Sequence, residues 1–255
     1  MDQVGAPALR ENPSATAILT DFDGTLSAIV RHPLDAAPLP GAIEVLSDLS
    51  VAYGRVAVIS GRPVRYLIEQ LHAVEGPVVL SGLYGLEEAQ RPPGGGWEVT
   101  ERPEASEWRS AVEEVAGRAE AELPAEVYVE RKGLSTTLHW RVHPDTARPA
   151  REWAERTAAE TGLALHNGKA SVELRPPVQR DKGTVVEELA GPFEAACFLG
   201  DDLGDLPAFE ALRRLDATTV AVGVKSAEVD PRVIAAADVV VDGPEGALEF
   251  LRQLL

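Results

Sequence analysis

Two acidic residues, Asp21 and Asp23, stand one position apart shortly after the apolar run at 17–19. Carboxylates at this spacing can divide the work of phosphoryl transfer, because one can attack phosphorus to give an aspartyl phosphate while the other protonates the departing alcohol and later activates water. Gly24 permits a turn that brings both carboxylates to one phosphate. The pattern predicts Asp21 as a covalent nucleophile and Asp23 as the acid and base. Turn or helix-cap roles for the pair are the structural alternative.

A hydroxyl and a lysine offer groups that could hold the phosphate. Ser60 and Gly61 follow the buried run at 56–59, where a side-chain hydroxyl and exposed backbone N–H groups suit a phosphate oxygen. A plain turn with Arg62 on the surface is the alternative. Lys182 opens a predicted helix, and its ammonium could offset charge on the nucleophile and the phosphoryl group. A solvated lysine is the alternative there, although the chain has only four lysines.

Three further acids fall within six residues, at Asp201, Asp202 and Asp205. Carboxylates concentrated in this way without basic neighbours favour a cation, and oxygen ligands suit Mg²⁺. We expect Asp201, Asp21 and the main-chain carbonyl of Asp23 to supply part of its coordination shell. Asp205 could bind the ion directly or through water, and Asp202 could support the ligands from outside the shell.

The elements that must position these motifs alternate between apolar runs and helix-like segments. The runs predict strands at 17–19, 56–59, 78–80, 195–199, 218–222 and 239–241, and helices at 41–53, 64–72, 181–189, after Pro207 and at 245–254. Such alternation is typical of an α/β fold with a parallel, doubly wound sheet. Ligands bind at the carboxyl ends of the strands in these sheets, so we expect the motifs to meet at one edge.

The pattern changes in the middle of the chain. It predicts a helix from 104 to 122, strands at 127–130 and 135–140, a helix at 145–161, and strands at 163–166 and 172–174. This order indicates a separate α+β module inserted into the α/β core. We therefore predict a core formed by residues 1–102 and 176–255, with an insert at 103–175.

Charge and composition exclude several function classes. A net charge of −17 repels nucleic acid and anionic membranes, and no apolar run is long enough to span a bilayer. The N-terminus shows no readable secretory signal, so we expect a cytoplasmic protein. The single cysteine, Cys197, lies in an apolar run and is predicted to be a small buried hydrophobe. His143 and His166 are expected to be structural.

The four motifs, in this order and at strand ends, resemble those of the haloacid dehalogenase (HAD) superfamily. That pattern comprises an Asp-x-Asp-x-Thr box, which here ends at Thr25, then a Ser or Thr, a Lys and a terminal acidic cluster. Within the superfamily the chain is similar to the trehalose-6-phosphate phosphatases. The segments that carry this similarity are DFDGTL (21–26), ISGR (59–62), SGLYGLE (81–87), VERK (129–132), HWR (139–141) and GKASVELRP (168–176).

The resemblance implies a HAD-like Rossmannoid core, Mg²⁺ as cofactor, and an inserted α+β cap of the C2 type that selects the substrate. It places Thr25, Ser60 and Lys182 in the catalytic set beside the two aspartates, and Gly61 and Arg62 among the substrate-binding residues. In the cap, the candidates for gripping sugar hydroxyls and phosphate are Glu130, Lys132, His139, Arg141, Lys169 and Glu173. A solvated sheet face with ion pairs is the alternative for these residues. The family often carries Thr-Asp-Glu-Asp after the aspartate pair, whereas LGDLP (203–207) stands here, so Asp201 is better supported as a ligand than Asp205.

The leading functional hypothesis is hydrolysis of trehalose 6-phosphate. Capped relatives share the core motifs, so sucrose 6-phosphate, a glycosyl phosphoglycerate or a monosaccharide phosphate remain alternative substrates. A phosphomutase is a further alternative, and a non-catalytic sugar-phosphate sensor or regulatory module is another. The expected partner is a small sugar phosphate. A monomeric state and functional pairing with a trehalose-6-phosphate synthase are open expectations.

Overall fold

The computed structural model describes residues 5–30, 32–92, 95–227 and 229–255. The chain divides into two compact units, a core unit of Met1–Thr100 with Arg180–Leu255 and an inserted unit of Glu101–Gln179. The sequence analysis predicted boundaries after 102 and after 175. In the structure the chain passes from one unit to the other after Thr100 and after Gln179.

Twelve strands and ten helices make up the described chain. The strands are β1 (Thr16–Thr20), β2 (Arg55–Ile59), β3 (Val78–Gly82), β4 (Glu87–Gln90), β5 (Glu98–Glu101), β6 (Tyr128–Arg131), β7 (Thr136–His139), β8 (Ala164–Gly168), β9 (Ser171–Arg175), β10 (Ala195–Gly200), β11 (Thr218–Lys225) and β12 (Val239–Asp242). The helices are α1 (Ala6–Arg10), α2 (Ala42–Ala52), α3 (Val64–Gln70), α4 (Pro103–Ser106), α5 (Arg109–Glu122), α6 (Ala147–Thr161), α7 (Lys182–Ala190), α8 (Leu206–Arg214), α9 (Pro231–Ala236) and α10 (Gly243–Arg252).

The core unit is built on a sheet with the order β12-β11-β10-β1-β2-β3-β4-β5. The six strands from β12 to β3 run parallel, and β4 is antiparallel to β3. Strand β1 is buried throughout, because Ile18 packs into the core on one face while Ala17 and Leu19 pack into the core on the other. Burial on both faces is why the parallel strands read as continuous apolar runs.

Helices cover both faces of this sheet. Leu46 of α2, Leu67 of α3 and Phe250 of α10 pack on one face. Val186 of α7 and Phe209 of α8 pack on the other. The predicted α/β, doubly wound architecture is therefore confirmed. The last two strands of this sheet, β4 and the edge strand β5, were not predicted, because their sequences EEAQ and EVTE are mostly polar and carry no apolar run.

The inserted unit holds an antiparallel sheet with the order β6-β7-β9-β8. Leu138 and Val172 pair across the sheet and pack with side chains of α5 and α6, among them Val115 and Trp153. The alternate residues of each strand point to the opposite face, which is polar. The four strands and α6 lie within a few residues of their predicted positions. The helix predicted over 104–122 is instead divided into the short α4 and the longer α5. Within the described ranges, no helix has the length and apolar character needed to cross a membrane.

Candidate active site

The carboxyl ends of three neighbouring strands bring the core motifs together. Strand β1 lies between β10 and β2, with Thr20 in register with Leu199 on one side and with Val58 on the other. Because all three strands run parallel, the residues that follow them emerge at one edge of the sheet. Asp21, the Ser60 loop and the Asp201 loop therefore meet there, as the sequence predicted.

Asp21 is buried beside a lysine. Its backbone N–H donates to the Leu199 carbonyl at 2.8 Å, which ties Asp21 to the end of β10. The Lys182 Nζ lies 2.8 Å from Asp21 Oδ1 and 2.6 Å from Asp205 Oδ1. Burial raises the pKa of Asp21 well above its usual value; Lys182 opposes this shift, while Asp205 and Asp201 reinforce it. The negative charge of these acids exceeds what one ammonium can balance.

Lys182 keeps its charge although it is buried. Burial by itself lowers the pKa of Lys182, but the carboxylates of Asp205 and Asp21 outweigh that effect and raise the pKa well above its usual value. The lysine is the first residue of α7, whose N-cap is Asp181. The start of this helix thus places a positive charge beside the Asp21 carboxylate.

Asp205 organises the acidic loop. Its Oδ2 accepts hydrogen bonds from the backbone N–H groups of Asp201, at 2.9 Å, and Asp202, at 3.0 Å. Gly200 permits this approach, since a Cβ at that position would lie 2.4 Å from Asp205 Cγ. The carboxylate therefore spans the Lys182 ammonium and the loop that carries Asp201. Metal ligation by Asp205 stays a prediction.

The residues present fit a divalent cation. Asp21, Asp201 and Asp205 each offer a carboxylate oxygen, and these atoms all lie within 4.8 Å of one another. Gly24 has a φ of +78°, and a Cβ built on it would lie 2.4 Å from Asp201 Oδ2, so the glycine lets this carboxylate reach the Asp21–Gly24 turn. An all-oxygen set of this kind suits a hard cation such as Mg²⁺ or Mn²⁺. Asp202 is directed elsewhere, because its Oδ1 accepts from the Gly204 N–H at 2.8 Å.

The remaining core residues surround the same edge. The Ser60 hydroxyl is buried and accepts from the Arg62 N–H at 3.1 Å. The Arg62 guanidinium pairs with the Asp23 carboxylate at 2.8 Å. The Thr25 hydroxyl is buried, and no described side chain or backbone group hydrogen-bonds to it. The predicted roles of these residues remain predictions, but their positions agree with one shared site.

The polar face of the inserted sheet carries four of the six predicted cap residues. His139 Nε2 lies 2.7 Å from Glu130 Oε2, and Lys132 Nζ lies 3.8 Å from that same oxygen. Lys132 Nζ also lies 3.4 Å from Glu173 Oε1, which accepts from the Ser135 hydroxyl at 2.6 Å. Two acids and two basic groups thus form one buried network within this unit.

The two other predicted cap residues lie beside the ends of the strands of this sheet. Arg141 follows the end of β7, and Lys169 lies in the tight turn between β8 and β9. Both side chains are partly buried and both have partners in the structure. Their assignment as sugar- or phosphate-binding residues stays a prediction.

Three more polar residues share that face and were missed by the sequence analysis. Thr137 and His166 are each in register with Glu173, on β7 and β8, and Tyr128 on β6 is in register with His139. Directly paired residues of adjacent strands point to the same side of a sheet. His166, expected to be structural, therefore lies in the same row as the predicted sugar-binding acids. Period-two alternation along these strands could have revealed the whole face. Exposed His143 lies outside the four strands.

Comparisons with known proteins agree with the geometry. The trehalose-phosphatase family matches residues 19–244 of this chain. The trehalose-phosphate phosphatase of Mycobacterium leprae is 32% identical over 253 residues, which cover 93% of this chain and 57% of that protein. The trehalose-6-phosphate phosphatase of Escherichia coli is 30% identical over 245 residues, which cover 91% of this chain and 87% of that protein. The chain thus spans little more than half the length of the mycobacterial relative.

Solved structures show the same fold. The C-terminal domain of Candida albicans trehalose-6-phosphate phosphatase superposes with a TM-score of 0.76 at 23% identity, over 99% of this chain and 98% of that one. A haloacid dehalogenase-like hydrolase from Bacteroides thetaiotaomicron gives a TM-score of 0.60 at 16% identity, over 94% of this chain and 99% of that one. These likenesses confirm the HAD-like fold class.

The family match extends from the end of β1 to the start of α10, so it includes every core motif and the whole inserted unit. It contains the nucleophile candidate Asp21, the buried Lys182 and the acidic loop that their geometry brings together. The chain belongs to the trehalose-phosphatase family.

Proposed function

We propose that this chain hydrolyses trehalose 6-phosphate to trehalose and inorganic phosphate through an aspartyl-phosphate intermediate at Asp21. The observation that carries the proposal is the buried Asp21 carboxylate, which lies 2.8 Å from Lys182. Both lie at the sheet edge where the Ser60 and Asp201 loops begin. Family membership supports the reaction class, as does similarity to a trehalose-6-phosphate phosphatase of which the chain covers 87%.

Each core residue has a role in the two steps. Asp21 attacks phosphorus, and Asp23 gives a proton to the sugar oxygen as the phosphorus–oxygen bond breaks. In the second step Asp23 takes a proton from the water that attacks the aspartyl phosphate, and phosphate leaves. Lys182 offsets charge on Asp21 and the phosphoryl oxygens, while the Ser60 hydroxyl and the Gly61 N–H bind phosphate. We also assign Thr25 to the catalytic residues.

Mg²⁺ is the proposed cofactor, held by Asp21, Asp201 and the Asp23 carbonyl, with Asp205 in contact directly or through water. When bound, the ion supplies positive charge that neutralises the transferring phosphoryl group. The excess of buried carboxylate over ammonium at this edge supports the assignment, because like charges brought together in a buried site require a counter-ion.

The sugar is assigned to the polar face of the inserted unit. Glu130, Lys132, His139 and Glu173 supply both acceptors and donors, and a disaccharide rich in hydroxyl groups needs both. Arg141 and Lys169 are proposed to join this set as further sugar- or phosphate-binding residues. The substrate would be produced by a trehalose-6-phosphate synthase, the functional partner that the resemblance implies.

The test is phosphate release, with Mg²⁺ present, from trehalose 6-phosphate beside sucrose 6-phosphate, glucose 6-phosphate and a glycosyl phosphoglycerate. We expect a preference for trehalose 6-phosphate of about a hundredfold in kcat/KM, which corresponds to roughly 2.7 kcal/mol of transition-state binding. Asp21→Asn is the control and should abolish turnover with folding intact. Full turnover by Asp21→Asn would rule out the covalent mechanism. Equal rates on all four esters would rule out trehalose 6-phosphate as the preferred substrate.

A further inference from the structure

The carboxylate of Asp23 is held by a two-point ion pair. Arg62 Nε donates to Asp23 Oδ2 at 2.8 Å, and Arg62 Nη2 donates to Asp23 Oδ1 at 2.8 Å. Two parallel N–H···O bonds fix the plane of a carboxylate as well as its position, which a single bond does not. Asp23 is therefore oriented by a residue that stands 39 positions later in the sequence.

Arg62 is itself held from several sides. Its side chain is only 10% exposed, and the guanidinium carbon lies 4.7 Å from the centre of the Tyr66 ring. The Arg62 N–H donates to the Ser60 hydroxyl, and its carbonyl accepts from the Leu83 N–H at 2.9 Å. The backbone bonds hold the main chain of Arg62, while the Asp23 carboxylate and the Tyr66 ring hold its mostly buried guanidinium.

The opposite side of Asp23 remains accessible. Its side chain is 37% exposed, in contrast to the buried Asp21 beside it. Each carboxylate oxygen has two lone pairs, and the ion pair occupies one on each oxygen. A lone pair directed away from Arg62 is thus free to carry the proton that passes to a leaving alcohol or comes from water.

From this geometry we infer that Arg62 is a positioning residue, which acts on the reaction through Asp23 and not as a direct ligand of the phosphate. The inference rests on the function proposed above and assigns Arg62 to one step of it. As Asp21 forms its bond to phosphorus and the phosphorus–oxygen ester bond breaks, the electron pair stays on the sugar oxygen, which takes the proton from Asp23. Arg62 sets the direction of that transfer.

Leaving groups of different basicity separate this role from phosphate binding. A sugar alkoxide is a strong base and needs the proton as the ester bond breaks, whereas p-nitrophenolate is stable enough to leave without one. General acid catalysis contributes about 10²–10⁴-fold where it is needed. The second step is common to both esters and also uses Asp23, so the two esters are compared by kcat/KM, which reports the steps up to formation of the aspartyl phosphate. We therefore expect Arg62→Gln to lower kcat/KM on trehalose 6-phosphate by about a hundredfold, with kcat/KM on p-nitrophenyl phosphate nearly unchanged. Arg62→Lys should do the same, because an ammonium cannot form the two-point pair.

The experiment compares kcat and KM on both esters for the full chain, Asp23→Asn, Arg62→Gln, Arg62→Lys and the Asp23→Asn/Arg62→Gln double variant. Arg65→Gln is the matched control, since it removes an exposed arginine three positions away. If Arg62 acts through Asp23, the double variant loses no more on the sugar phosphate than Asp23→Asn alone. This comparison uses the sugar phosphate alone, so it is informative even if the chain does not hydrolyse p-nitrophenyl phosphate.

The outcomes distinguish failure of the inference from failure of the function. Equal losses of kcat/KM on both esters, with a raised KM, would show that Arg62 binds phosphate and would overturn the inference. Additive losses in the double variant would also overturn the inference. In both cases, hydrolysis of trehalose 6-phosphate by the unmodified chain would leave the proposed function in place. Absence of phosphate release from any sugar ester by the unmodified chain would overturn the function, and the inference with it.

Discussion

At the scale of single residues, the site depends on two carboxylates that share one lysine. Asp21 and Asp205 both contact the Lys182 ammonium, and all three side chains are at least nine-tenths buried. Charges removed from water require partners, so the lysine serves both the fold and the proposed chemistry.

Replacement of Lys182 should therefore cost stability as well as rate. We expect Lys182→Ala to lower the free energy of unfolding by about 3–5 kcal/mol without divalent metal, because it leaves buried carboxylates unpaired. Lys225→Ala is the control, since Lys225 is 61% exposed. Urea denaturation measures both variants. A loss below 1 kcal/mol for Lys182→Ala would show that these carboxylates become protonated at little cost.

Gly24 is a second position where one atom decides the geometry. Its φ of +78° disfavours a side chain, and a Cβ there would meet the Asp201 carboxylate. We expect Gly24→Ala to cost about 1–3 kcal/mol and to raise the Mg²⁺ concentration needed for half-maximal rate. Gly96→Ala should change neither quantity, because a Cβ on Gly96 would have no neighbour within 4 Å. Unaltered metal dependence in Gly24→Ala would contradict the proposed place of Asp201 in the metal site.

At the scale of elements, helix starts and strand ends deliver the functional groups. Strands β1, β2 and β10 stop at the same edge, and α7 begins with Lys182, which contacts Asp21. The position of Lys182 thus depends on where α7 starts, which its N-cap determines.

The N-cap of α7 can be tested separately from the lysine. Asp181 Oδ1 accepts from the Thr184 N–H at 2.9 Å and from its hydroxyl at 3.2 Å. Asp181→Ala should lower stability by about 1 kcal/mol, since a first-turn N–H loses its partner, whereas Asp181→Asn should retain most of the cap. Thermal unfolding of both variants measures the difference. Equal loss in the two would mean that the carboxylate charge, and not the cap hydrogen bond, stabilises the helix.

At the scale of the whole molecule, the core unit is expected to gain stability from the metal. Asp21, Asp201 and Asp205 bring together more negative charge than Lys182 balances, so this cluster requires a cation. A ligand that binds only the folded state stabilises it by about 2.7 kcal/mol at a hundred times its dissociation constant. We predict that Mg²⁺ raises the melting temperature, that a chelator reverses the rise and abolishes turnover, and that Asp201→Asn reduces both effects.

The control for this prediction is Asp242→Asn, because Asp242 is 94% exposed and lies at the end of β12. This variant should respond to Mg²⁺ as the unmodified chain does. A melting temperature that ignores Mg²⁺ and chelator alike would argue against a metal at this edge of the sheet.

The sequence by itself determined the α/β core, the inserted α+β unit and the four core motifs. Residues such as Asp21, Lys182 and Asp201 could be named because parallel strands are short, apolar and followed directly by their functional residues. The family resemblance was carried by the same local segments and is confirmed. Strands, helices and short motifs could be predicted in this way because the spacing of residues within one segment encodes them.

Only the tertiary structure decided which distant side chains contact one another. Arg62 pairs with Asp23 because β1 and β2 are neighbours in the sheet, and strand order cannot be read from spacing along the chain. His166 joins the row of Glu173 through the register of β8 and β9. The sequence of one strand shows which of its side chains share a face, but the strand that pairs with it and the register of that pairing depend on the whole fold.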